Sequence, residues 1–261
     1  MKLRVVTATR GDSSFLREAV GSINLVQPNA AHLIVCPETR KPSIPAGTQA
    51  TVITETGTGL YAALNQGWRA PGEWDAFTWL NDDDLLLAPG FGGLLEALAR
   101  RPEVDVAYGR VRLIGARGEN LGSHPVARRG EDLAALLAGG IMPLAQPGTV
   151  IRRSLIERLG GFDETFRSAG DLDLFVRALV PGARFAFVNA WVASFRLHAG
   201  QLSKRRAEVE AETARALRPL AGAPRRLGTL LRFRFGNAGV YCDRVRRHGF
   251  RSMRELYDQP E

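Results

Sequence analysis

Ala76-Phe77-Thr78-Trp79-Leu80-Asn81-Asp82-Asp83-Asp84-Leu85-Leu86-Leu87 mounts three consecutive carboxylates where a buried strand should end. The apolar run Ala76–Leu80 reads as strand interior, and the polar residues after it read as the exit from the sheet. Carboxylates crowded this closely repel one another. A hard divalent cation, its shell completed by water and substrate phosphates, relieves that repulsion. The stretch therefore predicts a metal–diphosphate site. The competing reading is a solvated turn in which Asp84 or a neighbour caps a helix started near Pro89.

Working outward from this stretch, strands alternate with helical segments. Leu3–Ala8 reads as a strand, and Phe15, Leu16, Ala19, Val20 and Ile23 recur at helical spacing. His32–Cys36 and Ala50–Ile53 are predicted strands, and Gly59–Gly67 a helix closed by its glycine. The order predicts an α/β fold with a mostly parallel central sheet flanked by helices, in which ligands bind beyond the carboxyl ends of the strands. Further along, Val104–Tyr108, Val111–Ile114, Thr149–Arg152, Phe185–Val188 and Trp191–Phe195 are predicted strands. Gly130–Ala138, Ser154–Leu159 and Asp171–Leu179 are predicted helices.

With 261 residues, 45% hydrophobic and 24% charged, the chain can bury a full core. The net charge of +8 is unevenly placed. Residues 1–203 hold 21 Lys and Arg against 20 Asp and Glu, whereas 204–261 hold 14 against 7. A basic extension is thus expected at 218–261, behind a main domain at 1–217, suited to an acidic surface such as the inner face of a membrane. Nucleic acid is a weaker expectation, because the main domain is nearly neutral. Cys36 and Cys242 lack metal-ligand spacing, and Met1–Thr7 does not form a signal sequence, so free thiols and a cytoplasmic setting are expected.

The segment order resembles that of the family 2 glycosyltransferases, whose GT-A fold binds a nucleotide-sugar through an aspartate motif and a divalent metal. The likeness spans residues 1–205. It is carried by Val5-Val6-Thr7-Ala8-Thr9, by Thr54–Gly67, by Trp79–Asp84, by Gln146–Thr149 with Gly160–Glu164 and Gly170–Leu174, and by Phe195–Ser203. Two departures touch nucleotide choice: Pro37-Glu38-Thr39-Arg40-Lys41-Pro42 replaces an acidic, Gly- and Ser-rich turn, and Gly57 and Ala62 replace aspartates.

The resemblance implies an inverting transfer of a sugar from a nucleoside-diphosphate sugar to a hydroxyl of a carbohydrate or lipid-linked acceptor. Asp84, with Asp82 and Asp83, would anchor Mg2+ or Mn2+, and His198 would ligate the metal or bond the diphosphate. Thr7, Thr9, Glu38, Glu55, Asn65, Asp82, Asp83, Arg196 and Ser203 would line the nucleotide site, with Glu38 or Glu55 as substitute contacts and Arg196 on phosphate. Asp171 would be the general base, with Asp173 as fallback and a helix cap as the alternative role. Gln146 would orient acceptor or sugar, or act as a buried structural amide. A nucleotidyltransferase would carry a Gly-rich basic loop after the first strand, and Thr9-Arg10-Gly11-Asp12 is too sparse for one. A dinucleotide oxidoreductase fails for want of Gly-x-Gly-x-x-Gly.

Overall fold

A computed structural model describes residues 1–44, 46–198, 200–201, 206–224 and 226–249. Ser203, expected in the nucleotide site, lies outside the described residues. The first strand, β1 (Leu3–Ala8), is buried on both faces. Leu3 and Val5 pack on one side with Ala19 and Ile23 of α1 (Leu16–Val26), and Val6 packs on the other. That two-sided burial explains why the segment reads as an unbroken apolar run, as parallel strands covered by helices do. Next come β2 (Ala31–Cys36), β3 (Ala50–Thr54), α2 (Leu60–Arg69), β4 (Ala76–Trp79), β5 (Leu85–Leu86) and α3 (Gly90–Arg100).

The second half contains β6 (Val106–Ile114), β7 (Asn120–Ser123), α4 (Leu133–Ala138), β8 (Thr149–Arg152), α5 (Arg153–Leu159), α6 (Gly170–Leu179) and β9 (Phe185–Arg196). After them come α7 (Arg206–Leu217), α8 (Leu227–Gly236) and α9 (Ala238–His248). The nine strands form one sheet in the order β3-β2-β1-β4-β8-β6-β9-β5, with β7 on β6. The expected parallel arrangement holds across β3-β2-β1-β4. Beyond β4 the sheet is mixed: β8 is antiparallel to both neighbours, β5 is antiparallel to β9, and β6 is parallel to β9. The strand pairs expected at 104–114 and 185–195 are each one long strand, because register shifts absorb the irregular residues between them.

Helix α2 passes its glycine instead of ending there. A Cβ at Gly67 would stand 2.5 Å from a Val6 methyl, so the glycine lets helix and strand approach closely. The C-terminal helices pack against the sheet domain. Asn237 exchanges side-chain hydrogen bonds of 2.9 and 3.0 Å with the backbone of Val126, Arg232 pairs with Asp132 at 2.6 Å, and Phe233 is buried. Among the described residues no helix is long and apolar enough to cross a membrane.

Candidate functional site

From β1 the chain moves to β2 and β3 on one side, then returns to place β4 on the other side of β1. The crevice at the carboxyl ends of β1 and β4 is therefore the topological switch point, where open α/β sheets bind ligands. Thr9 follows β1 and Asp82 follows β4, and the Thr9 hydroxyl donates a hydrogen bond to Asp82 across this crevice. Gly11 N–H in turn donates to Thr9 Oγ1 at 3.0 Å, fixing the hydroxyl. Burial pushes the Asp82 carboxyl up to about 6, against the Thr9 hydrogen bond, and Asp83 adds to the rise.

His198 comes from the loop after β9. Its Nε2 lies 2.9 Å from Asp83 Oδ2, while Nδ1 receives the Gly200 N–H at 3.2 Å. A nitrogen that accepts an N–H carries no proton, so in the neutral ring the proton sits on Nε2 and is donated to Asp83. Phe15 packs on the imidazole with ring centres 4.9 Å apart. Side chain to side chain, Thr9 thus meets Asp82 and His198 meets Asp83.

Asp84, the residue chosen from the sequence as direct metal ligand, is fully buried. Its Oδ1 accepts the Arg196 backbone N–H at 2.9 Å, and Asn81 approaches Oδ2 at 3.4 Å. Burial and the neighbouring Asp83 lift its carboxyl well above the usual carboxylate range. Nor does it cap a helix, because β5 intervenes before α3. Its place is beneath the crevice, joining β4 to β9, while Asp82 and Asp83 keep partial exposure.

Arg196, expected on phosphate, is likewise an anchor. Its buried guanidinium donates to Asp83 O at 2.8 Å, to Ala116 O at 3.0 Å and to Glu18 at 2.7 Å, with Gly115 O at 3.4 Å. Little of its donor capacity is left for a ligand. Asn65 makes all four hydrogen bonds an amide can make, two to Phe162, one to Glu164 and one from Trp68, and so it clamps α2 to the loop after α5 instead of reaching the crevice. Thr7 is fully buried against His32, 3.0 Å away, on the α1 side of the sheet. Gln146 donates to Trp79 O at 2.7 Å, as a structural amide would.

Glu38 and Glu55 follow β2 and β3 on the same carboxyl edge. Glu38 accepts from Lys41 at 2.6 Å and from Thr54, and these hydrogen bonds hold its carboxyl below the usual range. Glu55 N–H donates to Cys36 O, tying the two strand ends together.

Asp171 reaches the same edge through α2. Gly170 lies against the ring of Tyr61, whose atoms stand 2.7 Å from where a Cβ would be, so only glycine lets α6 start there. Ala169 occupies the cap position, and Asp171, in the first turn, accepts the Leu172 N–H at 2.8 Å. Burial raises its carboxyl to about 6. Asp173, the fallback, is paired with Arg177 at 2.7 Å. The sequence reading missed Glu212 of α7, which accepts the N–H groups of Arg167, Ser168 and Ala169 at 2.7–2.9 Å and holds the loop that carries Asp171. A lone glutamate on a charged helix gives no signal of such a partner.

Asp82, Asp83 and His198 offer a donor set rich in oxygen, with one imidazole, that suits Mg2+ or Mn2+. The penalty that burial imposes on the Asp82 charge is one a cation would relieve. Among the described residues no group of three or more His, Cys, Asp or Glu stands assembled around one point.

Solved structures share this fold. S. aureus TarS 1-349 in complex with UDP-GlcNAc superposes with a TM-score of 0.60 and 14% identity, over 98% of this chain and 78% of that one. The mannosyltransferase PcManGT from Pyrobaculum calidifontis, in complex with GDP-Man and Mn2+, gives 0.57 and 17%, over 91% and 75%. No protein-family model matches the chain, and no curated protein matches it in sequence. The fold is of the GT-A type shared with these neighbours: a mixed α/β domain with a central sheet flanked by helices.

Proposed function

We propose that the chain is a metal-dependent, inverting glycosyltransferase of the family 2 type, moving a hexosyl group from a nucleoside-diphosphate sugar to a hydroxyl of a carbohydrate or lipid-linked acceptor. The observation that carries this reading is the Thr9–Asp82 hydrogen bond at the β1/β4 switch point, closed from the other side by His198 on Asp83. Two neighbours in fold are described with UDP-GlcNAc and with GDP-Man and Mn2+, which supports a sugar-nucleotide donor here.

In this reading Asp83 and His198, with Asp82 alongside, would hold Mg2+ or Mn2+. When bound, the cation would offset the charge that develops on the departing diphosphate. Thr9 orients Asp82, and Asp84 with Arg196 fixes the backbone beneath them. Glu38 and Glu55 supply the edge on which the nucleoside rests. Asp171 takes the proton from the acceptor hydroxyl as it attacks the anomeric carbon; its carboxyl, raised to about 6, is ionised at neutral pH yet basic enough to accept a proton. Residues 1–217 form the catalytic unit and 218–261 a basic extension. Leu227, Leu231 and Phe235 share one face of α8 and are 69%, 45% and 76% exposed, with Arg226 at the cap position before the helix and Arg234 in its last turn also exposed. That combination suits peripheral contact with an anionic membrane surface.

A thermal-shift panel of UDP, GDP and dTDP, each with and without Mn2+, tests the reading on the native chain and on Asp83→Asn. One nucleotide is expected to stabilise the native chain only with Mn2+, and Asp83→Asn to lose that response. Equal stabilisation of both proteins regardless of metal would refute it.

A further inference from the structure

We infer that the cleft between β6, β7, β9 and the helices α8–α9 is a subsite for a phosphate-bearing part of the acceptor. This inference rests on the glycosyl-transfer reading. The cleft has a volume of about 500 Å³, and its walls include Arg110, Arg112, Arg128, Arg247 and Trp191. One carboxylate, Asp243, lines it, paired with Arg247 at 2.8 Å. Arg128 donates to Gly236 O at 2.6 Å. Arg110 and Arg112 have no carboxylate partner among the described residues, and the buried Nε of Arg110 has no hydrogen-bond partner there.

Two adjacent guanidinium groups without a counterion repel each other. Trp191 contacts both nonetheless, with the Arg110 and Arg112 guanidinium carbons 5.6 and 5.5 Å from its ring centre. A buried donor left unsatisfied is costly, and a guanidinium fork matches the oxygens of a phosphate. The cleft therefore has the charge, the orphaned donor and the rigid backing that a bound phosphate group would complete.

Its position links it to the crevice. Arg112 pairs with Ser194 and Ile114 with Arg196, so the cleft lies two residues, or about 7 Å, along β6 from the strand position that supports Asp83 and Asp84. An acceptor spanning both would place its reacting hydroxyl at the crevice and its anionic portion among the arginines.

Titrating the full chain with inorganic tripolyphosphate, and separately with an oligogalacturonate, tests the inference through tryptophan fluorescence. Trp191 is 36% exposed, whereas Trp68, Trp74 and Trp79 are buried, so the signal reports on the cleft. Tripolyphosphate is expected to bind, with affinity about tenfold weaker in Arg110→Gln/Arg112→Gln. Arg112→Lys, which keeps the charge but loses the fork, should fall between. Asp83→Asn should bind tripolyphosphate as the native chain does, and the arginine variants should keep Mn2+-dependent nucleotide binding, separating this site from the donor crevice. Native-like tripolyphosphate affinity in the double variant would overturn the inference, as would tighter binding of the oligogalacturonate. Loss of nucleotide binding by the native chain, with the cleft result intact, would count against glycosyl transfer alone.

Discussion

The Nε2 nitrogen of His198 stands 2.9 Å from Asp83 Oδ2 although 115 positions separate them in sequence, and the Gly200 N–H on Nδ1 turns the ring so that this contact forms. The loop after β9 is thereby latched onto the end of β4. For His198 to ligate a cation here through Nε2, its ring proton would move to Nδ1 and the Gly200 N–H contact would give way.

Replacing His198 with Ala is accordingly expected to weaken Mn2+ binding about tenfold or more, in line with the loss of a group that ligates or orients at a metal site. Isothermal titration of Mn2+ in the presence of the nucleotide selected by the thermal-shift panel measures it. Unchanged affinity would remove His198 from the cation site and leave it a latch alone.

Asp84 tests the division between support and ligation. Burial and Asp83 favour its protonated form, and an amide has nearly the same shape, so Asp84→Asn is expected to cost about 1 kcal/mol or less of stability. Asp84→Ala removes the acceptor of the Arg196 N–H and leaves a hole, and should cost about 2–4 kcal/mol. Urea unfolding gives both values. If Asp84→Asn unfolds as readily as Asp84→Ala, the carboxylate is charged in the native protein and the supporting role is wrong. Metal-dependent nucleotide binding should survive Asp84→Asn and fail in Asp83→Asn.

Glu212 gathers three backbone N–H groups from the loop before α6, and Asp171 stands two residues beyond that loop. Glu212→Ala frees the loop, and small displacements of a reacting group cost up to about a hundredfold in rate. Steady-state assays should show a lowered kcat with nucleotide affinity preserved. A parallel loss of nucleotide binding would mean that Glu212 supports the whole domain and not the base.

How much of this was legible follows from the range of the forces involved. The strands β1 to β4 and the aspartate cluster announce themselves locally, through β-branched apolar runs and the polar residues that end them. The short strands β5 and β7 do not, since Leu85–Leu86 and Asn120–Ser123 owe their conformation to partners on β9 and β6. The same limit governs the site. Nothing around Asp84 says that it will be buried, because the Arg196 N–H that it accepts lies 112 residues away. Arg196 looks like a phosphate ligand until Glu18, Asp83 and the turn at Gly115-Ala116 are seen to enclose it. Asn65 likewise reads as a nucleotide contact until Phe162 and Glu164, 97 and 99 positions away, are seen to use its amide.

On the proposed mechanism, the pH dependence of the reaction would rest on Asp171. Burial raises its carboxyl from the ordinary value to about 6, so between about pH 4 and 6 the folded chain binds a proton that the unfolded chain has released. The stability from this group is complete below about pH 4 and lost as the pH climbs through about 6, a change of roughly 2 kcal/mol after allowance for its partial exposure. With Asp171 as the proposed base, activity would run the opposite way, since only the ionised carboxylate can take a proton from the acceptor. The kcat is expected to rise through about pH 6 and level above it, as for a single base. Asp171→Asn should abolish turnover while keeping metal-dependent nucleotide binding, and should flatten the fall in melting temperature between pH 4 and 6. A variant that retained turnover with the native pH profile would transfer the proton-accepting role to another group.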